Sequence, residues 1–268
     1  MRTYPHQPAH GQYRDPKDLT ARIRLHQRFS TNPHGWMRWV YDQISLPASG
    51  RVLEVGCGNG EIWAANATQL PGDVMFVLTD CSLGMVSAAK RSLPPEIRYG
   101  ACDAMTLPFS DTEFEAVIAN HMLYHVPAPG KAIRDIRRVL RPGGTLYATT
   151  NGSDHLKEIP SLLAEYDSQI DCPLNETATQ FCLTNGAGLL QEHFSDVILM
   201  RYPDSLRITE AEALTGYILS LHGVGNVAER LSGDAQRELC NFLGDRISRD
   251  GAITVTKESG MFIAGHKK

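Results

Sequence analysis

The chain has 268 residues, a formal net charge of −4 at pH 7, and 42% hydrophobic against 21% charged residues. That length suits one sizeable core with additions or two small domains, and the balance excludes an intrinsically disordered chain. No apolar run approaches the ~20 residues of a membrane span, and the acidic balance argues against the broad basic footprint of a nucleic-acid binder.

From the amino terminus, Met1 to Asp18 is polar, with three prolines and no apolar signal-peptide stretch, which predicts a cytoplasmic protein. Residues 19–46 read as helical, with Leu19, Ile23, Phe29, Trp36, Trp39, Val40 and Ile44 at the apolar positions and Asn32-Pro33 interrupting them. Strand-like runs then alternate with helical periods: Arg51 to Val55, Val74 to Thr79, Ile97 to Ala101, Ala116 to Ala119 and Thr145 to Thr149. This alternation predicts a parallel sheet with helices on both faces. Before the fifth strand, Ile133, Ile136, Val139 and Leu140 recur with helical period and leave Arg134, Arg137, Arg138 and Arg141 on solvated faces. Pro142-Gly143-Gly144 ends that helix by removing a donor and loosening the backbone.

Beyond Thr150 the alternation stops, and helix-like pieces around Leu156 to Ile170 and Asn185 to Glu192 suggest an insertion over the site. Asp196 to Tyr202 reads as a strand, Thr209 with Glu212 as a capping box opening a helix through Leu221, and Asp234 to Ile247 as a second helix. Ile253 to Thr256 and Met261 to Ala264, around Glu258-Ser259-Gly260, read as strand, turn and strand. The division that follows is a helical cap over 1–46, a core over 47–152, a helical insertion over 153–195, and C-terminal strands with inserted helices over 196–268. Leu239 and Phe242 on the late helices serve either a homodimer or the core.

The six cysteines, at 57, 81, 102, 172, 182 and 240, form no C-x-x-C pair and no Cys/His cluster of zinc-ligand spacing, so reduced thiols and no metal are expected. Val52-Leu53-Glu54-Val55 runs into Gly56-Cys57-Gly58-Asn59-Gly60, a strand delivering a ligand to a turn. A dinucleotide fingerprint would need its third glycine where this chain has Glu61, so NAD is disfavoured. The second strand ends at Asp80, about 20 residues past the turn, where nucleotide-binding folds place an acid for ribose hydroxyls; alternatively it caps the helix that follows. The third ends in Cys102-Asp103-Ala104-Met105, ahead of Leu107-Pro108-Phe109, with Asp103 a ligand contact or a partner for turn amides. The fourth runs into Asn120-His121-Met122-Leu123-Tyr124-His125-Val126, and the carboxyl ends of such strands open onto the ligand crevice.

In this order and spacing, Val52 to Gly60, Asp80, Asp103 to Phe109, Asn120 to Val126 and Val139-Leu140-Arg141-Pro142-Gly143-Gly144-Thr145 resemble the ubiquinone/menaquinone-biosynthesis (type 11) kind of class I methyltransferase that uses S-adenosylmethionine (SAM). The resemblance covers residues 50–150, with one departure at Phe114-Glu115, where the family carries Phe-Asp. It implies a Rossmann-like, doubly wound, mostly parallel seven-stranded α/β sheet with an antiparallel C-terminal strand and helical cap elements. It also implies SAM as cofactor and S-adenosylhomocysteine as product. The implied cofactor contacts are Glu54, Gly56, Cys57, Gly58, Gly60, Asp80, Cys81, Met85, Asp103, Ala104, Met105, Asn120 and His121. Among them, Asp103 would accept from the adenine amino group, while Met85 packs on the adenine or joins the core.

A sulfonium methyl group is already activated, so its transfer needs mainly an in-line nucleophile and exclusion of water. For a hydroxyl or protonated amine a general base helps, and His125, His121 and His155 are the candidates, each with a structural alternative. Trp36 and Trp39 either close over cofactor and substrate, adding cation–π attraction, or pack as an ordinary helix face. The expectation is a cytoplasmic transferase that O- or N-methylates a small molecule such as a secondary metabolite, without nucleic acid or membrane. Its alternatives are methylation of protein or RNA, and a SAM- or S-adenosylhomocysteine-binding protein of this fold that does not methylate.

Overall fold

The computed structural model describes residues 16–174, 179–221 and 223–265, so the amino-terminal stretch through residue 15 lies outside the described residues. In chain order the elements are α1 (Pro16–Phe29), α2 (Trp36–Gln43), β1 (Gly50–Val55), α3 (Glu61–Ala65), β2 (Val74–Asp80), α4 (Leu83–Ser92), β3 (Arg98–Ala101) and β4 (Phe114–Asn120). A 3-10 turn (Leu123–His125), α5 (Pro129–Val139), β5 (Leu140–Asn151), α6 (Glu158–Tyr166), α7 (Gly186–Gln191) and β6 (Asp196–Ile208) follow. The chain closes with α8 (Ala211–Leu219), α9 (Val227–Arg230), α10 (Ala235–Asp250) and β7 (Ile253–Gly265). These fall into two compact units, one of Trp36–Ser153, Thr177–Tyr202 and the chain from Ser259, the other of the chain up to Gly35, Asp154–Glu176 and Pro203–Glu258.

The first unit is built on a seven-stranded sheet in the order β3-β2-β1-β4-β5-β7-β6. β1 pairs in parallel with both β2 and β4, β2 with β3 and β4 with β5, whereas β7 runs antiparallel to β5. This is the doubly wound, mostly parallel sheet expected, and its order reverses at β1, where such sheets open a crevice. Val52, Leu53, Glu54 and Val55 are buried in succession because helices cover both faces. One face packs Phe114, Ile133, Ile136 and Val139; the other packs Trp63, Phe76, Leu78 and Ile118.

The expected carboxyl-terminal hairpin is a single strand, β7. A Cβ at Gly260 would lie 2.7 Å from the Met200 carbonyl oxygen, so this glycine marks a close backbone approach rather than a turn. Pro142-Gly143-Gly144 does not end α5, which stops at Val139; it forms an excursion inside β5, where the register steps from Phe114↔Leu140 to Ala116↔Thr145. Nor are the arginines of α5 simply solvated. Arg138 reaches the loop after β3, donating to Leu107 O at 2.9 Å, Phe109 O at 2.7 Å and Asp111 Oδ1 at 2.8 Å. Arg141 pairs with Glu115, which also accepts from Arg51 N at 2.6 Å. The longer acid at the start of β4 therefore ties strand beginnings together, at the end of the sheet away from the crevice.

In the second unit, α1, α6, α8 and α10 enclose a core that includes Leu25, Ile159, Leu163, Leu214, Ile218 and Leu243. Leu239 is fully buried in it and the half-buried Phe242 packs against it, so both contribute to this core. The proposed capping box is absent: Glu210 precedes α8 without a side-chain cap and pairs with Arg28 instead. Asp204 accepts from Ser30 Oγ at 2.5 Å, Asn32 N at 3.0 Å and Lys257, joining the segment after α1 to β6 and β7. No helix among the described residues is long and apolar enough to cross a membrane.

Candidate functional site

The turn leaving β1 needs glycine. Gly56, Gly58 and Gly60 have φ of 68°, 54° and 80°, a left-handed backbone that side chains resist. A Cβ at Gly56 would stand 2.6 Å from Met122 Cβ, and one at Gly60 would stand 2.6 Å from Leu93 Cδ1, whereas at Gly58 nothing lies within 4 Å. The turn is thus packed tightly on its flanks and open at its centre. Cys57 N donates to Thr79 O at 2.9 Å, which stitches the turn to β2.

Asp80, at the end of β2, accepts from Gly58 N at 3.0 Å through Oδ2 and from Ser82 N at 2.8 Å through Oδ1. The helix-capping role considered for Asp80 belongs to Ser82, whose hydroxyl accepts from Met85 N at 3.4 Å at the head of α4. Each carboxylate oxygen of Asp80 retains a second lone pair for a hydroxyl donor. Asp103 does satisfy a turn amide, accepting from Met105 N at 2.8 Å. Ala104 is buried, and Met105 and Cys102 pack against the same apolar layer. Met85 is half-buried at the start of α4, and Cys81 is exposed beside Asp80.

Glu54, on β1, is buried and accepts from the indole of Trp63 on α3. Burial pushes its carboxyl up to about 8; the Trp63 bond opposes this shift and the nearby Asp80 adds to it. Burial likewise raises the thiols of Cys57 and Cys81, and that of Cys102 up to about 11, so none is poised as a thiolate.

At the end of β4, Thr149 Oγ1 of β5 donates to Asn120 Oδ1 at 2.7 Å and accepts from His121 N at 2.9 Å. The His121 ring lies 4.9 Å from Trp36, which in turn contacts Trp39 at 5.3 Å and Tyr202 at 5.1 Å. His125 closes the following 3-10 turn, with its ring 4.4 Å from Tyr124. His155 belongs to the other unit, where its Nδ1 accepts from Glu258 N at 3.2 Å and its ring stacks on His26 at 6.2 Å. With Nδ1 accepting, the neutral ring of His155 carries its proton on Nε2 and presents a donor there.

One unit therefore holds all thirteen expected cofactor residues, at the carboxyl ends of β1 to β4, in the loops just beyond them and, for Met85, at the start of α4. Their polar groups are carboxylates, an amide, an imidazole and backbone N–H groups, with no lysine or arginine among them. Such a set suits hydroxyls, amines and cations and lacks the side-chain cations that hold phosphates. Sequence reasoning took Met122 only as part of the Asn120 to Val126 stretch and did not find Trp63, Thr149 or Tyr202 as supports of this site. No motif marks these three, because their roles depend on contacts between segments far apart in the chain.

Residues 53–148 match the family model of a methyltransferase domain. A ubiquinone/menaquinone biosynthesis C-methyltransferase of Desulfotalea psychrophila is 34% identical over 110 residues, 41% of this chain and 44% of the relative. A 27-O-demethylrifamycin SV methyltransferase of Amycolatopsis mediterranei is 38% identical over 108 residues, 38% of this chain and 39% of the relative. The chain thus spans less than half the length of these curated relatives. A solved structure from an antibiotic biosynthesis pathway of Anabaena variabilis superposes with a TM-score of 0.61 at 18% identity, covering 85% of this chain and 95% of that one, and shares the fold. The segment from Leu53 to Ala148 is thus similar to the methyltransferase domain of these relatives.

Proposed function

We propose, from the methyltransferase domain at residues 53–148, that this chain is a SAM-dependent methyltransferase acting on an oxygen or nitrogen of a small molecule. The observation that carries the proposal is the turn open at Gly58 with the half-buried carboxylates of Asp80 and Asp103 at the neighbouring strand ends. The residues fit SAM, which offers hydroxyls, an exocyclic amine and cationic groups but no phosphate. Asp80 would take the ribose hydroxyls, Asp103 the adenine amino group, and the backbone of Gly56 to Gly60 the amino-acid end. When bound, SAM supplies a methyl group already activated by its sulfonium.

The chain's own work is then to orient the acceptor, exclude water and take its proton. His121 and His125 follow β4, and of these His121 sits against the Trp36 ring. An imidazole set against an aromatic ring gains cation–π attraction when protonated, which suits a group that takes up a proton. A cytoplasmic setting agrees with six cysteines that form no disulfide.

The Amycolatopsis relative's name places its substrate's missing methyl on an oxygen, in keeping with O-methylation. The Desulfotalea relative is named a C-methyltransferase, and this supports a second reading in which the acceptor atom is carbon. Both are tested by incubating the purified protein with methyl-labelled SAM and, separately, 27-O-demethylrifamycin SV and a reduced demethylated quinone. Label on the rifamycin oxygen supports the first reading, label on the quinone ring supports the second, and label in a protein or RNA fraction alone contradicts both.

A further inference from the structure

We infer that Thr149 is a positioning residue, one that holds His121 in a left-handed backbone conformation and so sets where its imidazole stands beside the glycine turn. This rests on the methyltransferase reading, in which His121 faces the acceptor. His121 has φ 50°, a conformation that residues with a Cβ occupy at a cost and that persists only where the surroundings enforce it. Among the described residues two other non-glycines, Thr112 and Leu156, have positive φ. Neither immediately follows a strand of the sheet, as His121 follows β4.

One buried hydroxyl contributes to that enforcement. Thr149 is fully buried and pairs in register with Asn120 across β4 and β5. Its single hydroxyl hydrogen goes to Asn120 Oδ1 at 2.7 Å, which orients a lone pair toward His121 N at 2.9 Å. The His121 ring is then registered by Trp36 at 4.9 Å and Tyr124 at 6.1 Å. The next residue, Met122, fills the space where a Cβ on Gly56 would go, so a shift of His121 would pass directly into the turn. Valine at 149 would match the shape of threonine but neither donate nor accept. Serine would keep both bonds.

The test uses the full chain with 13C-labelled histidine, with the His121 imidazole signal assigned by its loss in His121→Gln. Because the ring lies against Trp36, its signal reports its position through the indole ring current. Thr149→Val is expected to displace the His121 signal, and Thr149→Ser is expected to restore the wild-type signal. Thr149→Ala deletes the same hydroxyl and gives the same reading if the valine variant does not fold. An unmoved His121 signal in a folded valine or alanine variant, or a displaced one in the serine variant, would overturn the assignment. If the wild type binds neither SAM nor S-adenosylhomocysteine, the functional reading fails and the signal still decides the role of Thr149.

Discussion

The indole Nε1–H of Trp63 donates to Glu54 Oε2 at 2.5 Å, with Glu54 2% and Trp63 0% exposed. This bond ties α3 back to β1 and clamps the two arms of the glycine turn from beneath. It also gives the acidic residue of the motif a structural task, since a buried carboxyl needs a donor whether or not it meets a ligand.

Glu54 makes stability depend on pH in a defined direction. Burial raises its folded-state value to about 8 from 4.5, so between those values the folded chain holds a proton that the unfolded chain has released. The resulting stabilisation is fully present below the unfolded value and is lost as pH rises through about 8. Its size is of order a few kcal/mol at most. Thermal unfolding followed from pH 5 to pH 8 should show the melting temperature falling, with the slope flattened in Glu54→Gln; equal slopes in the two proteins would count against this assignment.

Trp63→Phe keeps an aromatic ring in the layer with Phe76 but removes the donor to Glu54. Leaving a buried acceptor unpaired should cost about 1–3 kcal/mol, read by urea unfolding. Combining it with Glu54→Gln should recover little, because the amide would also lack its donor. Additive losses in the double variant would show that the two side chains do not interact.

Arg138→Ala should loosen the loop after β3. Arg138 donates to two carbonyls of that loop and to Asp111, while Asp135 accepts from Leu107 N at 2.6 Å. The charged hydrogen bonds lost are worth about 1–2 kcal/mol. Amide hydrogen exchange should accelerate in residues 103–111 and leave the β1 turn protected; unchanged exchange in the loop would show that α5 does not hold it.

The sheet was legible in the sequence because its strands are buried on both faces and read as apolar runs separated by helical periods. The glycine turn and the acids at the strand ends were legible because they leave a spaced pattern. The carboxyl-terminal strand was misread at Gly260 because a glycine in a turn and one beneath a neighbouring carbonyl look alike in a single chain. Arg138 was misread because helical periodicity shows which face is apolar but not what the polar face meets. Thr149 was invisible because its function is a pair of hydrogen bonds to a strand that lies beside it only in the folded sheet.

Asp80→Ala should weaken SAM binding at least tenfold, since it removes both the expected ribose contacts and the acceptor for Gly58 N. Asp80→Asn, which keeps a side-chain acceptor for a turn amide, should fold like the wild type and bind with intermediate affinity. Wild-type affinity in the alanine variant would exclude Asp80 from the cofactor site.

Whether the domain binds SAM is decided by calorimetric titration of the full chain with SAM and with S-adenosylhomocysteine. Saturable binding of both ligands in the micromolar range is expected, lost in Asp80→Ala. A folded protein that binds neither ligand would contradict the proposed activity while leaving the fold as described.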